Sequence, residues 1–135
     1  MAYWLMKTEP GDYSWERLNA DGETEWDGVR NHQAARNMRS MRKGDRVFFY
    51  RSVVQPAILG VMRVSAESFP DPDDERWVRV KVRPELPFAE EVSLRSIKMD
   101  PRLEGIALVR QSRLSVMPIS EEHWAVLCAM GGIEP

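Results

Sequence analysis

Cysteine and histidine are scarce in this chain of 135 residues, which contains one cysteine, Cys128, and two histidines, His32 and His123. A single cysteine cannot form a disulfide within the chain, and a structural zinc site needs about four suitably spaced ligands. Neither an HxxxH nor a CxxC spacing occurs. We therefore predict no metal site, and we interpret Cys128 as core packing on a terminal helix, because free cysteine behaves as a small hydrophobe.

Motifs that bind cofactors or present a nucleophile are absent as well. The chain has no G-x-x-x-x-G-K-S/T, no G-x-G-x-x-G and no G-x-S-x-G. These motifs cradle phosphates, bind dinucleotides or expose a catalytic serine. Without them we expect no cofactor and no enzymatic activity.

Long hydrophobic runs are missing from the whole sequence. No stretch approaches the roughly 20 apolar residues that cross a bilayer. Residues 1–9 lack a basic start, an apolar run and a small-residue cleavage site, which together mark a secretory signal. We therefore expect a cytoplasmic protein without a membrane partner.

Excess positive charge is also lacking, because 19 Lys and Arg residues face 21 Asp and Glu residues. A nonspecific nucleic-acid binder that neutralises many phosphates needs a strong cationic excess, so that class is excluded. Local basic faces remain: Arg36, Arg39 and Lys43 recur at helical spacing, and residues 77–83 alternate basic and apolar side chains. Either face contacts phosphates or is simply solvated.

The pattern of apolar residues predicts an α+β fold in one domain, residues 1–135. Short strands dominate the middle of the chain, and turns at this spacing are typical of a small barrel. Predicted strands cover residues 3–7, 47–50, 58–64, 77–83 and 113–117. Predicted helices begin near Ser14, at Asp27, at Ser93 and at Ser120, with the second ending near Met41.

An aromatic and polar cluster at residues 26–31 is the first candidate binding site. Trp26 precedes a predicted helix, and Val29, Arg30 and Asn31 follow it. A nucleic-acid base needs a flat aromatic partner for stacking and polar groups for its edge. The alternative is that Trp26 fills the core and Arg30 pairs with a carboxylate.

A second candidate lies at residues 113–116, where Arg113 and Ser115 alternate with Leu114 and Val116. On a strand, this alternation turns the polar pair toward one face. Glu9 is the one carboxylate that we single out. Two rival functions stay open: an enzyme that uses Glu9 or His32 as a base, and a small-molecule or protein-interaction module that never contacts nucleic acid.

Several motifs together resemble the EVE domain family over essentially the whole chain. The chain opens with Tyr-Trp-Leu-Met-Lys-Thr-Glu-Pro at residues 3–10 and continues with Trp-Asp-Gly-Val-Arg-Asn at residues 26–31. Shorter matches follow in order at residues 43–45, 48–50, 77–78, 93–94, 97–98, 100–101 and 113–118. The resemblance implies a PUA-like fold, a small mixed β-barrel flanked by short helices, similar to YTH and ASCH domains.

The resemblance also implies a reader of a modified base, a modified cytosine in DNA or a base in RNA. We predict a pocket in which Trp26 stacks on the base and polar side chains contact its edge. The predicted pocket residues are Lys7, Glu9, Trp26, Val29, Arg30, Asn31, Ser52, Arg113, Leu114 and Ser115. Because binding by one domain is modest, we expect a monomer that gains avidity from a partner protein.

One position departs from the family pattern. The family often has a histidine before the serine that follows the Phe-Phe strand, whereas this chain has Arg51 before Ser52. A guanidinium binds phosphate bidentately, so we predict phosphate contacts for Arg51 together with Arg36, Arg39 and Lys43. Trp15 and Trp124 are assigned to packing.

Overall fold

The chain contains six strands and five α-helices in a computed structural model that describes all residues, Met1 to Pro135. The strands are β1 (Tyr3–Thr8), β2 (Thr24–Trp26), β3 (Arg46–Arg51), β4 (Ala57–Pro70), β5 (Val78–Ser93) and β6 (Val116–Ile119). The helices are α1 (Trp15–Asp21), α2 (His32–Ser40), α3 (Leu94–Met99), α4 (Ala107–Arg110) and α5 (Glu121–Met130), with a 3₁₀ turn at Pro101–Leu103. None of these helices is long and apolar enough to cross a lipid bilayer.

The strands form a single mixed sheet in the order β2-β5-β4-β3-β1-β6. β1 runs parallel to β3, and every other pair is antiparallel. Register shifts interrupt the long β4–β5 pair several times, and such bulges bend strands and increase their twist. The predicted mixed α+β architecture is therefore confirmed, and the sheet is barrel-like.

The barrel is not closed by hydrogen bonds, because β2 and β6 are both edge strands. Helix α2 contacts both β5 and β6. Its Asn37 side chain donates a hydrogen bond of 2.8 Å from Nδ2 to the Val116 carbonyl. The helix thus satisfies an edge carbonyl of β6 that would otherwise need another strand or water.

The core is one cluster of 36 buried hydrophobic residues. Helix α5 closes one side of it, with Trp124 stacked on Phe48 at a centroid distance of 3.8 Å. Cys128 on the same helix is fully buried, as its apolar surroundings predict, and burial raises the pKa of its thiol to about 11. Serine caps begin three of the helices at the predicted positions, Ser14, Ser93 and Ser120.

Several predicted element boundaries are wrong. Strands β4 and β5 extend to Pro70 and Ser93, past the predicted ends at residues 64 and 83, and two further differences lie near the predicted site. Helix α2 is capped by Asn31 rather than Asp27, because Gly28 takes a positive φ of 76° and the chain turns before the helix begins. The three residues before that turn form β2, which pairs Trp26 with Val80 of β5. The last strand begins at Val116, so Arg113 precedes it instead of lying on it.

Candidate functional site

An open cleft of about 1230 Å³ lies beside the ends of β1 and β3. Pockets for small ligands are typically about 300–1,000 Å³, so this cleft has room for a nucleotide and part of its strand. The turn after β2, helix α3 and the segment before β6 complete its walls. Predicted pocket residues in its lining are Lys7, Glu9, Trp26, Val29, Arg30, Ser52, Arg113 and Ser115.

Part of the apolar lining of the cleft consists of buried side chains. Trp26 is 6% exposed and packs edge-on against Phe49, with ring centroids 5.9 Å apart. Val29 and Tyr50 beside it are also buried. Trp26 therefore belongs to the core and lines the cleft at once, and it offers a ligand only a small part of its surface.

Lys7 and Tyr50 are neighbours across the parallel β1–β3 pair. The Lys7 Nζ lies 5.7 Å from the Tyr50 ring centroid and donates a 2.9 Å hydrogen bond to the Ser112 carbonyl. Burial lowers the pKa of Lys7 and raises the pKa of Tyr50 to about 12. Tyr50 is consequently a neutral phenol near neutral pH, with a hydroxyl that can donate or accept.

Sequence reasoning missed Tyr50 as a lining residue. Its signal was the spacing to Ser52, since side chains two positions apart on an extended strand point to the same face. Both residues line the cleft. Tyr50 was interpreted only as part of a buried strand, because its apolar ring fits that pattern equally well.

Arg30 lines the cleft but its guanidinium is already paired. It donates a 3.2 Å hydrogen bond to Asp71 and one of 3.1 Å to the Val29 carbonyl. Asp71 is 1% exposed and also accepts from Arg79 at 3.3 Å. The Asp73 backbone N–H and the two guanidiniums lower the pKa of Asp71. Arg30 thus orders the cleft wall, and pairing with a carboxylate is the reading that the structure bears out.

Two residues predicted for the pocket do not line the cleft. The Asn31 side chain accepts a 2.9 Å hydrogen bond from the Ala34 N–H, so its oxygen caps α2. Leu114 is 5% exposed and packs in the core. The Asn31 oxygen is occupied at the helix cap and Leu114 is buried in the core, so neither residue contributes to the cleft lining as predicted.

The enzymatic alternative loses one of its two candidate bases. His32 stacks on Trp77 with ring centroids 4.8 Å apart and is absent from the cleft lining. Trp77 is partly buried between His32 and Arg30, whose guanidinium carbon lies 5.7 Å from its ring centroid. The rings form a packed surface patch beside the cleft.

The predicted phosphate contacts lie outside the cleft lining. Arg51 pairs with both carboxylate oxygens of Glu91, at 3.0 and 2.9 Å, and donates to the carbonyls of Val54 and Gln55. Because these contacts occupy its guanidinium, the prediction that Arg51 binds phosphate is not supported. Arg39 donates to the Arg76 carbonyl.

Three cations that line the cleft carry no carboxylate partner: Lys7, whose Nζ donates to the Ser112 carbonyl, and two exposed side chains. Lys98 on α3 and Arg113 before β6 are exposed and take part in none of the ion pairs of the chain. Unpaired carboxylates, Glu9, Asp12 and Asp27, also line it. The cleft therefore presents acceptors and free cations together, and Lys98 is a lining residue that sequence reasoning missed because solvated lysines give no distinguishing pattern.

Comparison with known proteins finds a family model and relatives that match nearly the whole chain. The sequence model of the EVE domain matches residues 2–130. Thymocyte nuclear protein 1 of Mus musculus is 30% identical, over 98% of this chain and 75% of that protein. The solved structure of protein Atu2648 from Agrobacterium tumefaciens superimposes with a TM-score of 0.96 and 41% identity, covering 100% of this chain and 99% of that one.

A second solved structure contains a ligand. It is human THYN1 in complex with DNA that contains 5-methylcytosine, with a TM-score of 0.90, 27% identity and 100% of both chains covered. The YTH domain of Zygosaccharomyces rouxii MRB1, solved with N6-methyladenosine RNA, has a TM-score of 0.58 at 14% identity. That likeness is one of fold alone, and it agrees with the expected relation to YTH domains.

Proposed function

Because this chain belongs to the EVE domain family, we propose that it is a nucleic-acid-binding module that reads one modified base. The ligand that we favour is a modified cytosine in DNA. One observation carries the proposal: a relative with the same fold over its full length is solved with DNA that contains 5-methylcytosine. We further propose that residues 1–135 act as one monomeric domain in the cytoplasm.

The cleft supports a single base that is extruded from its stack. Val29 and the exposed part of Trp26 supply apolar contact, and the hydroxyls of Tyr50, Ser52 and Ser115 supply donors and acceptors for a base edge. Proteins contact an extruded base through such edge hydrogen bonds and apolar side chains. The cleft walls thus carry both kinds of group that base recognition requires.

Two other lining residues provide charge. Glu9 can accept from an exocyclic amine, and Arg113 can hold a phosphate, since neither side chain has an ion-pair partner. An exocyclic amine distinguishes cytosine and adenine from thymine and uracil. We therefore propose that Glu9 favours an amine-bearing base.

The affinity of the isolated domain should be modest. Extrusion costs a few kcal/mol, and the small exposed part of Trp26 supplies only a fraction of the roughly 1–3 kcal/mol that full stacking contributes per base. A buried methyl group adds about 0.8 kcal/mol, which corresponds to roughly a fourfold change in Kd. We propose that a partner protein supplies the remaining affinity through avidity.

The proposal is tested by titrating short oligonucleotides that carry cytosine, 5-methylcytosine, 5-hydroxymethylcytosine, adenine or N6-methyladenine, as DNA and as RNA. We expect one modified base to bind about fourfold more tightly than its unmodified form. Ser115→Ala should weaken binding of that base, because it removes a hydroxyl that lines the cleft and can contact the base edge.

Ser40→Ala on α2 is the matched control, since Ser40 lies outside the cleft lining. Equal binding of all oligonucleotides by the wild type would contradict the reader function. Equal effects of the two serine substitutions would contradict the placement of the base beside Ser115.

A further inference from the structure

The connection between β3 and β4 at residues 52–56, here called the rim loop, is strained. Val53 has a φ of 69° and Gln55 a φ of 47°, and no other non-glycine residue of the chain has a positive φ. A β-branched side chain is disfavoured in the left-handed region, because its Cβ crowds the backbone. Strained conformations of this kind persist only where surrounding contacts hold them, and they cluster at ligand-binding positions.

The tip of the rim loop is apolar and open to solvent. Val53 is 69% exposed and Val54 is 57% exposed. Both valines leave most of their surface in solvent, and Val53 also carries the strain. Core packing therefore does not account for the conformation of the loop.

Arg51 holds the rim loop in place from its base. Its guanidinium donates to the carbonyls of Val54 and Gln55 at 3.0 and 2.8 Å and pairs with both carboxylate oxygens of Glu91 on β5. The Ser52 N–H donates to the Thr8 carbonyl at 2.9 Å. These contacts connect the loop to β1 and β5, and they fix the position of Val53 and Val54.

The rim loop stands at the mouth of the cleft. Ser52, Val53 and Pro56 contribute to the cleft lining. A shallower groove adjoins this edge, and Lys98 lines both the groove and the cleft, together with Pro56. A duplex whose base entered the cleft would thus meet an apolar tip with an unpaired cation close to it.

We propose that Val53 and Val54 form a wedge that enters the base stack of double-stranded DNA beside the extruded base. Apolar side chains inserted at a base step offset the stacking lost there, and cations nearby contact the phosphates. The inference rests on the proposed reader function. It assigns a separate role to the loop: Val53 and Val54 favour extrusion from a duplex, while the cleft recognises the base.

The test compares three DNA probes with the wild-type protein and the variant Val54→Asn, because Val54 is exposed and lies outside the cleft lining. The probes are a short duplex with one 5-methylcytosine opposite guanine, the same strand alone, and the duplex with the 5-methylcytosine opposite an abasic position. Val54 does not have a positive φ, so the substitution removes an apolar side chain from the tip and leaves the strained Val53 and the cleft lining in place.

We expect the variant to bind the paired duplex roughly tenfold more weakly and the single strand unchanged. For the duplex with the abasic position, the loss of affinity should lie between these two results, because extrusion opposite a missing base costs less. A 2-aminopurine next to the target should brighten on binding of the wild type and less on binding of the variant. Leu86→Thr is the control, because Leu86 is an exposed apolar residue outside the cleft lining. It should leave the affinity for all three probes unchanged.

Equal losses on the duplex and the single strand would overturn the wedge, since the loop would then contact the strand or the base itself. An unchanged affinity of the variant for all three probes would also overturn the wedge. Failure of the reader function gives a different result: the wild-type protein would then bind single strands with 5-methylcytosine and with cytosine equally well.

Discussion

Trp26 combines a packing role with a place in the cleft, and the two cannot be separated by deleting the side chain. Its ring is held edge-on by Phe49, and β2 pairs its backbone with Val80. A residue that is 6% exposed contributes mainly through burial. A loss of ligand binding after removal of this tryptophan would therefore report on folding as well as on recognition.

Trp26→Ala should lower the free energy of unfolding by about 3–5 kcal/mol, because it leaves a cavity beside Phe49. Urea denaturation followed by circular dichroism measures this change. Trp77→Ala is the control, because its ring is partly exposed. It should lower the free energy of unfolding by clearly less. Equal losses for the two substitutions would show that Trp26 is not the buried residue that its contacts with the core require.

Arg51 departs from the family pattern, and its tertiary contacts give it a role other than the predicted one. An arginine at this place has the chemistry to bind phosphate. In the structure its donors are occupied by Glu91 and by two carbonyls of the rim loop. The side chain therefore shapes the loop beside the cleft.

The turn between β4 and β5 depends on one buried carboxylate. Asp71 accepts hydrogen bonds from the Asp73 N–H, from Arg30 and from Arg79, which links the turn to the cleft wall and to β5. The pKa of Asp71 is lowered by these contacts. A carboxyl with a depressed folded-state pKa stabilises the fold above its unfolded pKa, and this contribution is lost as the pH falls through the folded value.

Asp71→Asn should lower the Tm at pH 7, because two guanidiniums lose their shared carboxylate. The difference in Tm from the wild type should narrow as the pH falls below 3.8, the ordinary value for this group, where the wild type loses the same charge. Thermal melts of both proteins across this range measure the effect. A Tm difference that is constant with pH would contradict a role for the Asp71 charge.

The whole molecule has a net charge of −2, so its approach to nucleic acid depends on where unpaired cations lie. The basic outer face of β5 is largely neutralised, since Arg79 pairs with Glu25 and Arg83 pairs with Glu23. Lys98 and Arg113 remain unpaired at the cleft. Few phosphate contacts imply a shallow dependence of affinity on salt.

Lys98→Ala should reduce the slope of log Kd against log salt concentration by about 1, because one phosphate contact releases roughly one counterion. Titrations of the preferred oligonucleotide between about 50 and 200 mM salt measure the slope. Arg83→Ala is the matched control and should leave it unchanged, since Arg83 is paired with Glu23. An unchanged slope for the Lys98 variant would place the phosphates elsewhere.

The element pattern and the family were readable in the sequence, because their signals are local. Serine caps, apolar runs and turn residues act within a few positions of one another, and Ser14, Ser93 and Ser120 begin their helices where predicted. Most of the residues predicted for the pocket also line the cleft. The element assignments needed residue types and spacing alone, whereas the full set of pocket residues also depended on the resemblance to the EVE domain family.

Only the tertiary structure decided which polar side chains are free to meet a ligand. Arg51 lies 40 positions from Glu91, and Arg30 lies 41 positions from Asp71. Whether a cation finds a carboxylate depends on strand register and bulges, which local patterning does not specify. Through Arg51, the distant Glu91 is linked to the rim loop that contains the strained Val53, so the chemistry of the cleft emerges only when the sheet is assembled.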